Sequence, residues 1–262
     1  MTTKIKFWQW PNVLAIDACA IALAWLWVFA DEQSAQLSTT AYVVLAVSVW
    51  LTYLSDRLFD ATRQEEAQLL STRHRFAKRN MRTLWQGWAL VLLVNILIAT
   101  TGLSPSQLGK GLALLLVCLA YSGFNYFLSR RFFPKELLVA LIFAGGAQVF
   151  LPEPTEWPSV ISYILLCLIN CLMIAWKEKS VDALLQVRSL SSVLDSRWIY
   201  PLLASCIGLS LLSSCTLPLV SSMLILGGIH LIRERLGQEL FRVLCDAALL
   251  TGPLFYFALH NL

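Results

Sequence analysis

Nine stretches of this chain, about 12–30, 39–56, 83–103, 108–128, 136–151, 158–176, 198–214, 217–232 and 240–259, are almost continuously apolar, and charge gathers between them. A helix needs ~20 apolar residues to cross the hydrocarbon core of a bilayer, and runs of that kind recur along the whole length. The pattern predicts an all-α, polytopic membrane helical bundle of nine transmembrane helices, folded as a single transmembrane domain over residues 1–262. The first run continues to about Ala30 without the small-residue cleavage pattern of a leader, so it is read as a retained span.

Composition supports this. Hydrophobic residues make up 58% of the chain and charged ones 14%, against about a quarter charged in ordinary soluble domains. All seven cysteines lie within or at the edge of apolar runs and lack metal-ligand spacing, which makes them buried thiols rather than a disulfide framework.

Assigning the loops alternately to two sides puts 19 of the 20 basic residues on one side and leaves only Lys110 on the other, with Asp31, Glu32, Glu153 and Glu156. The net charge of +4 is therefore a topological signal, and no nucleic-acid partner is expected. The positive-inside rule places the N-terminus and the loops after spans two, four, six and eight in the cytosol, and the expected location is a bacterial cytoplasmic membrane. Trp8, Trp10, Trp85, Trp88, Trp157 and Trp198 fall near span ends, as an interfacial belt does. The pairs Gly145-Gly146 and Gly227-Gly228 are expected to let helices approach closely.

The long inner loops each begin with a pair of acids: Asp56 and Asp60 after span two, Glu178 and Asp182 after span six. Four residues turn a helix by about 400°, so each pair sits on one face with ~6 Å of axial separation. Magnesium binds through one or two carboxylates and shares its other positions with water and phosphate oxygens. Two such pairs meeting on the cytosolic side could hold Mg²⁺ against a diphosphate, and neutralising a leaving diphosphate is what ionising an allylic C–O bond requires. At the end of span four, Tyr126 and Arg130 are likewise four apart, followed by Arg131, and a guanidinium fork suits phosphate oxygens.

This order of motifs resembles the UbiA superfamily of intramembrane prenyltransferases. Asp56 and Asp60 match the last two acids of the family's N-D-x-x-D-x-x-x-D pattern, Tyr126 and Arg130 match its Y-x-x-x-K/R element, and Glu178 and Asp182 match a D-x-x-x-D pair. The resemblance implies a UbiA-like prenyltransferase fold with a lipid-accessible cavity. It implies a Mg-dependent transferase moving an isoprenoid chain from a prenyl diphosphate to an aromatic or other lipophilic acceptor. Asp56, Asp60, Glu178 and Asp182 would carry metal and catalysis; Tyr126, Arg130 and Arg131 would bind diphosphate. Thr52 and Tyr53 replace the opening Asn-Asp, Glu178 replaces an Asp, and Gln186 stands where a third acid is common. The alternatives are a UbiA-type terpene cyclase and a non-catalytic membrane protein that binds an isoprenoid or a partner.

Within the spans, Asp17 and Asp246 lie at similar depth. An ionisable group there costs about 2.5–3.5 kcal/mol on insertion scales, so it faces protein or a wet cavity. Asp246 is expected to pair with Arg242 one turn away, and Asp17 to reach Arg242 or a bound acceptor. Asn95, Asn125, Asn170 and His230 are candidates for the cavity wall or for interhelical hydrogen bonds.

Overall fold

The computed structural model of the protein describes residues 5–62, 71–128, 133–179 and 189–260, and among these all regular structure is helical. The α-helices are α1 (Trp10–Val13), α2 (Ile16–Glu32), α3 (Thr39–Thr62), α4 (Thr72–Arg79), α5 (Met81–Gly102), α6 (Pro105–Leu128), α7 (Lys135–Gly146), α8 (Trp157–Lys177), α9 (Leu190–Val193), α10 (Ile199–Ser210), α11 (Thr216–Leu231) and α12 (Gln238–His260). Each of the nine apolar runs falls on a helix. Nine full spans are nevertheless not reached. Among the described residues, α3, α5, α6, α8 and α12 are long and apolar enough to cross as single helices, and the bent pair formed by Phe7–Val13 and α2 makes a sixth. At 1.5 Å per residue, α7 and α10, with 12 residues each, extend only ~18 Å, short of a ~30 Å hydrocarbon core.

The first run breaks at Leu14 and Ala15 with a bend of 71°. Ala15 adopts a left-handed conformation, φ 58°, which ordinarily costs a residue with a Cβ roughly 1–2 kcal/mol. The carbonyls released at the break find donors on α3: Arg57 donates to Val13 O at 2.8 Å and Trp50 Nε1 to Leu14 O at 3.0 Å. In lipid, a backbone carbonyl without such a donor costs several kcal/mol, so these two side chains hold the bend in place.

Helix α12 contains Pro253, which has no N–H for the carbonyl four residues earlier. That carbonyl, Leu249 O, accepts instead from Trp25 Nε1 at 2.9 Å. Trp25 also stacks against Tyr163, with ring centroids 4.5 Å apart, and Phe29 closes the cluster. This core joins α2, α8 and α12. Close helix approach occurs beside the same kink. A Cβ on Gly252 would overlap the Pro218 carbonyl and lie 2.6 Å from Ser222 Oγ, whereas Gly145, Gly146, Gly227 and Gly228 would meet at most ordinary contacts. The glycine pairs singled out from sequence therefore do not set the helix spacing; Gly252 does, for α11 against α12.

Almost every residue in the apolar stretches of α5 and α6 stays at least partly exposed. With the other apolar outer faces, such as Leu217, Leu224 and Leu254, they form the lipid-facing surface of an integral membrane protein. Trp85 and Trp88 are exceptions to the interfacial reading, since they pack with Leu54, Leu58, Ala61 and Ala77 and fasten α3, α4 and α5 together.

Candidate functional site

A cavity of about 230 Å³ opens among α2, α3, α4, α6, α7, α8 and α12. Its walls include Asp56, Asp60 and Glu178, so both acidic motifs reach one space although more than a hundred residues separate them. They meet because α3 and α8 both end their apolar runs at the same end of the bundle. Tyr126 falls in the last turn of α6; its side chain, together with Arg130, Arg131 and Asp182, lies outside the described residues. Thr52, at one of the replaced family positions, turns its hydroxyl back to Ser48 O at 2.9 Å, whereas Tyr53 lines the cavity.

Several cations that loop counting assigned to the positive-inside signal are cavity residues. Arg57, Arg73 and Lys135 line it with the acids. Arg57 is buried because the break before α2 supplies its acceptor. Arg73 NH2 stands 3.4 Å from Glu178 Oε2, and its Nε is buried without a partner among the described residues. A buried guanidinium nitrogen in a cavity wall is a vacant donor for an anion.

Glu178 is held from two sides. Arg242, only 1% exposed, pairs with its Oε1, and Arg73 with its Oε2. Arg242 also meets Glu239 at 3.3 Å, and Glu239 accepts from Thr72 N at 2.9 Å, which docks the start of α4 on α12. The expected Arg242–Asp246 pair is thus replaced. Side chains on a helix lean toward its N-terminus, and Arg242 accordingly extends to the acids at the cavity mouth, away from Asp246.

Deeper in the cavity Asp246 accepts from Asn12 Nδ2 and from Asn170 Nδ2, each at 3.1 Å. Asn12 Nδ2 also donates to Asp17 Oδ2 at 2.7 Å, so one amide bridges the two aspartates. Asp17 therefore does not pair with Arg242, whose partners are Glu178 and Glu239. The broken first helix carries Asn12, and no sequence signal marks that break. Of the remaining polar candidates, Asn125 lines the cavity, Asn95 binds Ser48 Oγ at 3.0 Å, and buried His230 packs edge-on against Tyr200.

His74, on α4, lies 3.7 Å from Asp60. Burial and then the charges of Arg73, Arg242, Arg57 and Lys135 hold its imidazole well below the usual range, so it is neutral near pH 7 despite that neighbour. Glu136 also lines the cavity, but its carboxylate accepts from Ser189 Oγ, Leu190 N and Ser191 N and caps α9. Its role is to seat the segment that follows residues 180–188.

Mg²⁺ needs hard oxygen donors and near-octahedral geometry, with several positions left to water or phosphate. Among the described residues no three His, Cys, Asp or Glu side chains form a metal cluster. Asp56 and Asp60, one turn apart on α3, fit an ion completed by phosphate and water, whereas both Glu178 oxygens already face guanidinium groups.

No protein-family model and no curated protein matches the chain. It is similar to a solved structure described as the apo structure of a UbiA homolog from Aeropyrum pernix K1, with a TM-score of 0.63 and 12% identity over 93% of this chain and 98% of that one. The chain has the UbiA-like fold.

Proposed function

We propose, from the UbiA-like fold and the cavity it encloses, that this protein is a membrane prenyltransferase acting on a prenyl diphosphate. One observation carries the reading: the acids of two distant motifs line a single cavity together with Arg57, Arg73 and Lys135. Arg73, with its vacant Nε, and Lys135 bind diphosphate oxygens. Asp56 and Asp60 hold Mg²⁺, joined by Asp182, and Tyr126, Arg130 and Arg131 add phosphate contacts. Bound Mg²⁺ supplies the charge neutralisation that lets the diphosphate leave. Glu178 positions Arg73 and Arg242 rather than binding metal directly.

The aromatic wall of Tyr53, Tyr121 and Phe143 lies beside these charges. Such rings stabilise a nearby cation through their faces and exclude water that would quench it. The cavity volume is below the ~300–1,000 Å³ of drug-sized ligand sites. It accommodates the head and reacting end, while the tail leaves between helices toward membrane lipid. A lipophilic or aromatic acceptor then captures the allylic group.

A second reading is favoured by the capture of Glu178 between two guanidinium groups and by the loss of the opening Asn-Asp oxygen ligands at Thr52 and Tyr53: a non-catalytic protein that binds an isoprenoid or a partner. Thermal unfolding of the purified protein with geranyl, farnesyl and geranylgeranyl diphosphate, with and without Mg²⁺, separates the two. Ligand at a hundred times its Kd stabilises by about 2.7 kcal/mol. The expected result is Mg²⁺-dependent stabilisation that disappears in Asp60→Ala. Its absence from folded wild-type protein overturns the proposal, and a cyclised product from prenyl diphosphate alone would identify a terpene cyclase.

A further inference from the structure

The floor of the cavity has a chemistry distinct from its mouth. Asn170 precedes Glu178 by eight residues on α8, ~12 Å along a helix axis, and there it meets Asp246 of α12, Asn12 of α1 and Asp17 of α2. The amide orientations are fixed, because only the NH₂ end of an asparagine can donate to a carboxylate. Asn12 divides its two hydrogens between the aspartates. Asp17 Oδ1 receives Ala18 N at 2.9 Å, and Asp246 Oδ1 receives Asn170 Nδ2.

No further hydrogen bond reaches either aspartate among the described residues. Among the described residues neither aspartate is ion-paired; Arg57, on the same wall, gives its hydrogen bond to Val13 O. Each carboxylate oxygen has capacity for a further donor. Asn170 Oδ1 is buried with no partner among the described residues, in a side chain whose residue is 7% exposed. Two carboxylates thus line the floor of the cavity beside a buried amide oxygen that lacks a partner among the described residues, in a region where unsatisfied acceptors are costly.

We infer that Asp17, Asp246 and Asn170 form the binding subsite for the polar end of the second substrate, and that this end is an amine or hydroxyl group bearing N–H or O–H donors and no negative charge. The inference rests on the prenyltransferase reading and deepens it by naming the acceptor class. A carboxylate-bearing acceptor meets two like charges here and is rejected. Tyr53 and Phe143, whose rings meet edge to face at 6.3 Å, flank the space and suit a flat or apolar body behind the donor group.

The test uses three probes with one phenyl ring and a single polar group on the full-length protein with farnesyl diphosphate and Mg²⁺ present: benzylamine, benzyl alcohol and benzoate. Binding is read by thermal shift and by titration calorimetry. The amine and the alcohol are expected to bind, and the benzoate at least tenfold more weakly. Asp17→Asn and Asp246→Asn should each weaken benzylamine at least tenfold and narrow its advantage over the benzoate. Equal or tighter binding of the benzoate, binding of none of the three, or benzylamine affinity unchanged in both variants overturns the inference. The wild-type ordering stands as a test even if a variant does not fold. Failure of the underlying reading shows separately, as no response of wild-type protein to farnesyl diphosphate itself.

Discussion

Arg242, near the start of α12, closes on the carboxylate of Glu178 at the end of α8, and Arg73 of α4 holds the other oxygen of the same carboxylate. The pair is almost wholly buried. Removing one member of a buried ion pair leaves the other charge uncompensated and costs about 3–5 kcal/mol, whereas replacing both with apolar or neutral groups of similar volume is often neutral. Arg242→Met should therefore destabilise the protein, by less than that because Arg73 still faces Glu178, and Glu178→Gln in the same chain should recover part of the loss. Denaturant unfolding in micelles of the two single variants and the double variant checks this. Additive losses would mean that the pair is not the unit of stability.

Trp25 and Pro253 form a second coupled pair. The proline withholds a donor from Leu249 O and the indole supplies one. Trp25→Phe leaves that buried carbonyl unsatisfied, at about 1–3 kcal/mol, besides the packing it loses against Tyr163. Pro253→Ala restores an N–H four residues on, so Trp25→Phe should cost less in a Pro253→Ala background than in wild type. A double-mutant cycle on unfolding free energies measures the difference. A coupling near zero would detach the indole from the kink.

The helical architecture and the meeting of Asp56, Asp60 and Glu178 were legible in the sequence, because each acid ends an apolar run at the same end of the bundle. What escaped it depends on long-range partners. Arg57 and Arg73 look like loop charges until the bend after Val13 and the carboxylate of Glu178 give them somewhere to go. That bend has no proline or glycine at Leu14 or Ala15 to announce it, so the pattern reads as one span and Asn12 as its outer edge. Arg242 and Asp246 have the spacing of a helical pair, but a lever as long as arginine reached the next helix first. Short helices such as α7 read as spans because hydropathy records composition and not where a helix stops.

Glycine spacing gives a prediction in which two similar substitutions diverge. Gly252→Ala forces a methyl into the Pro218 carbonyl and Ser222, and α11 must move away from α12. Overpacking of this kind costs about 1–3 kcal/mol, and it also disturbs the Gly252 N to Ser222 Oγ hydrogen bond, now 3.0 Å. Gly228→Ala meets open space, and in a helix interior alanine is favoured over glycine by about 0.8–1.0 kcal/mol. Thermal midpoints should fall for the first and hold or rise for the second. A fall of similar size in both would show that glycine conformational freedom, rather than the close approach at Gly252, is what matters.

His74 sets a pH dependence whose direction follows from its surroundings. Burial and the neighbouring Arg73, Arg242, Arg57 and Lys135 depress its affinity for a proton in the folded protein, from an ordinary pKa of 6.5 to well below it. The unfolded chain therefore takes up a proton at this position as pH falls through 6.5 while the folded chain does not. Protons bound by the unfolded state exceed those bound by the folded one, so stability at this site is full above pH 6.5 and declines on acidification. The slope is at most about 1.4 kcal/mol per pH unit. His74→Gln cannot titrate. Its unfolding free energy, measured from pH 7.5 down to 5, should run parallel to wild type at the upper end and fall less steeply below pH 6.5. Curves that stay parallel throughout would mean that Asp60, 3.7 Å from the ring, holds a proton on His74 in the folded state and outweighs the four cations around it.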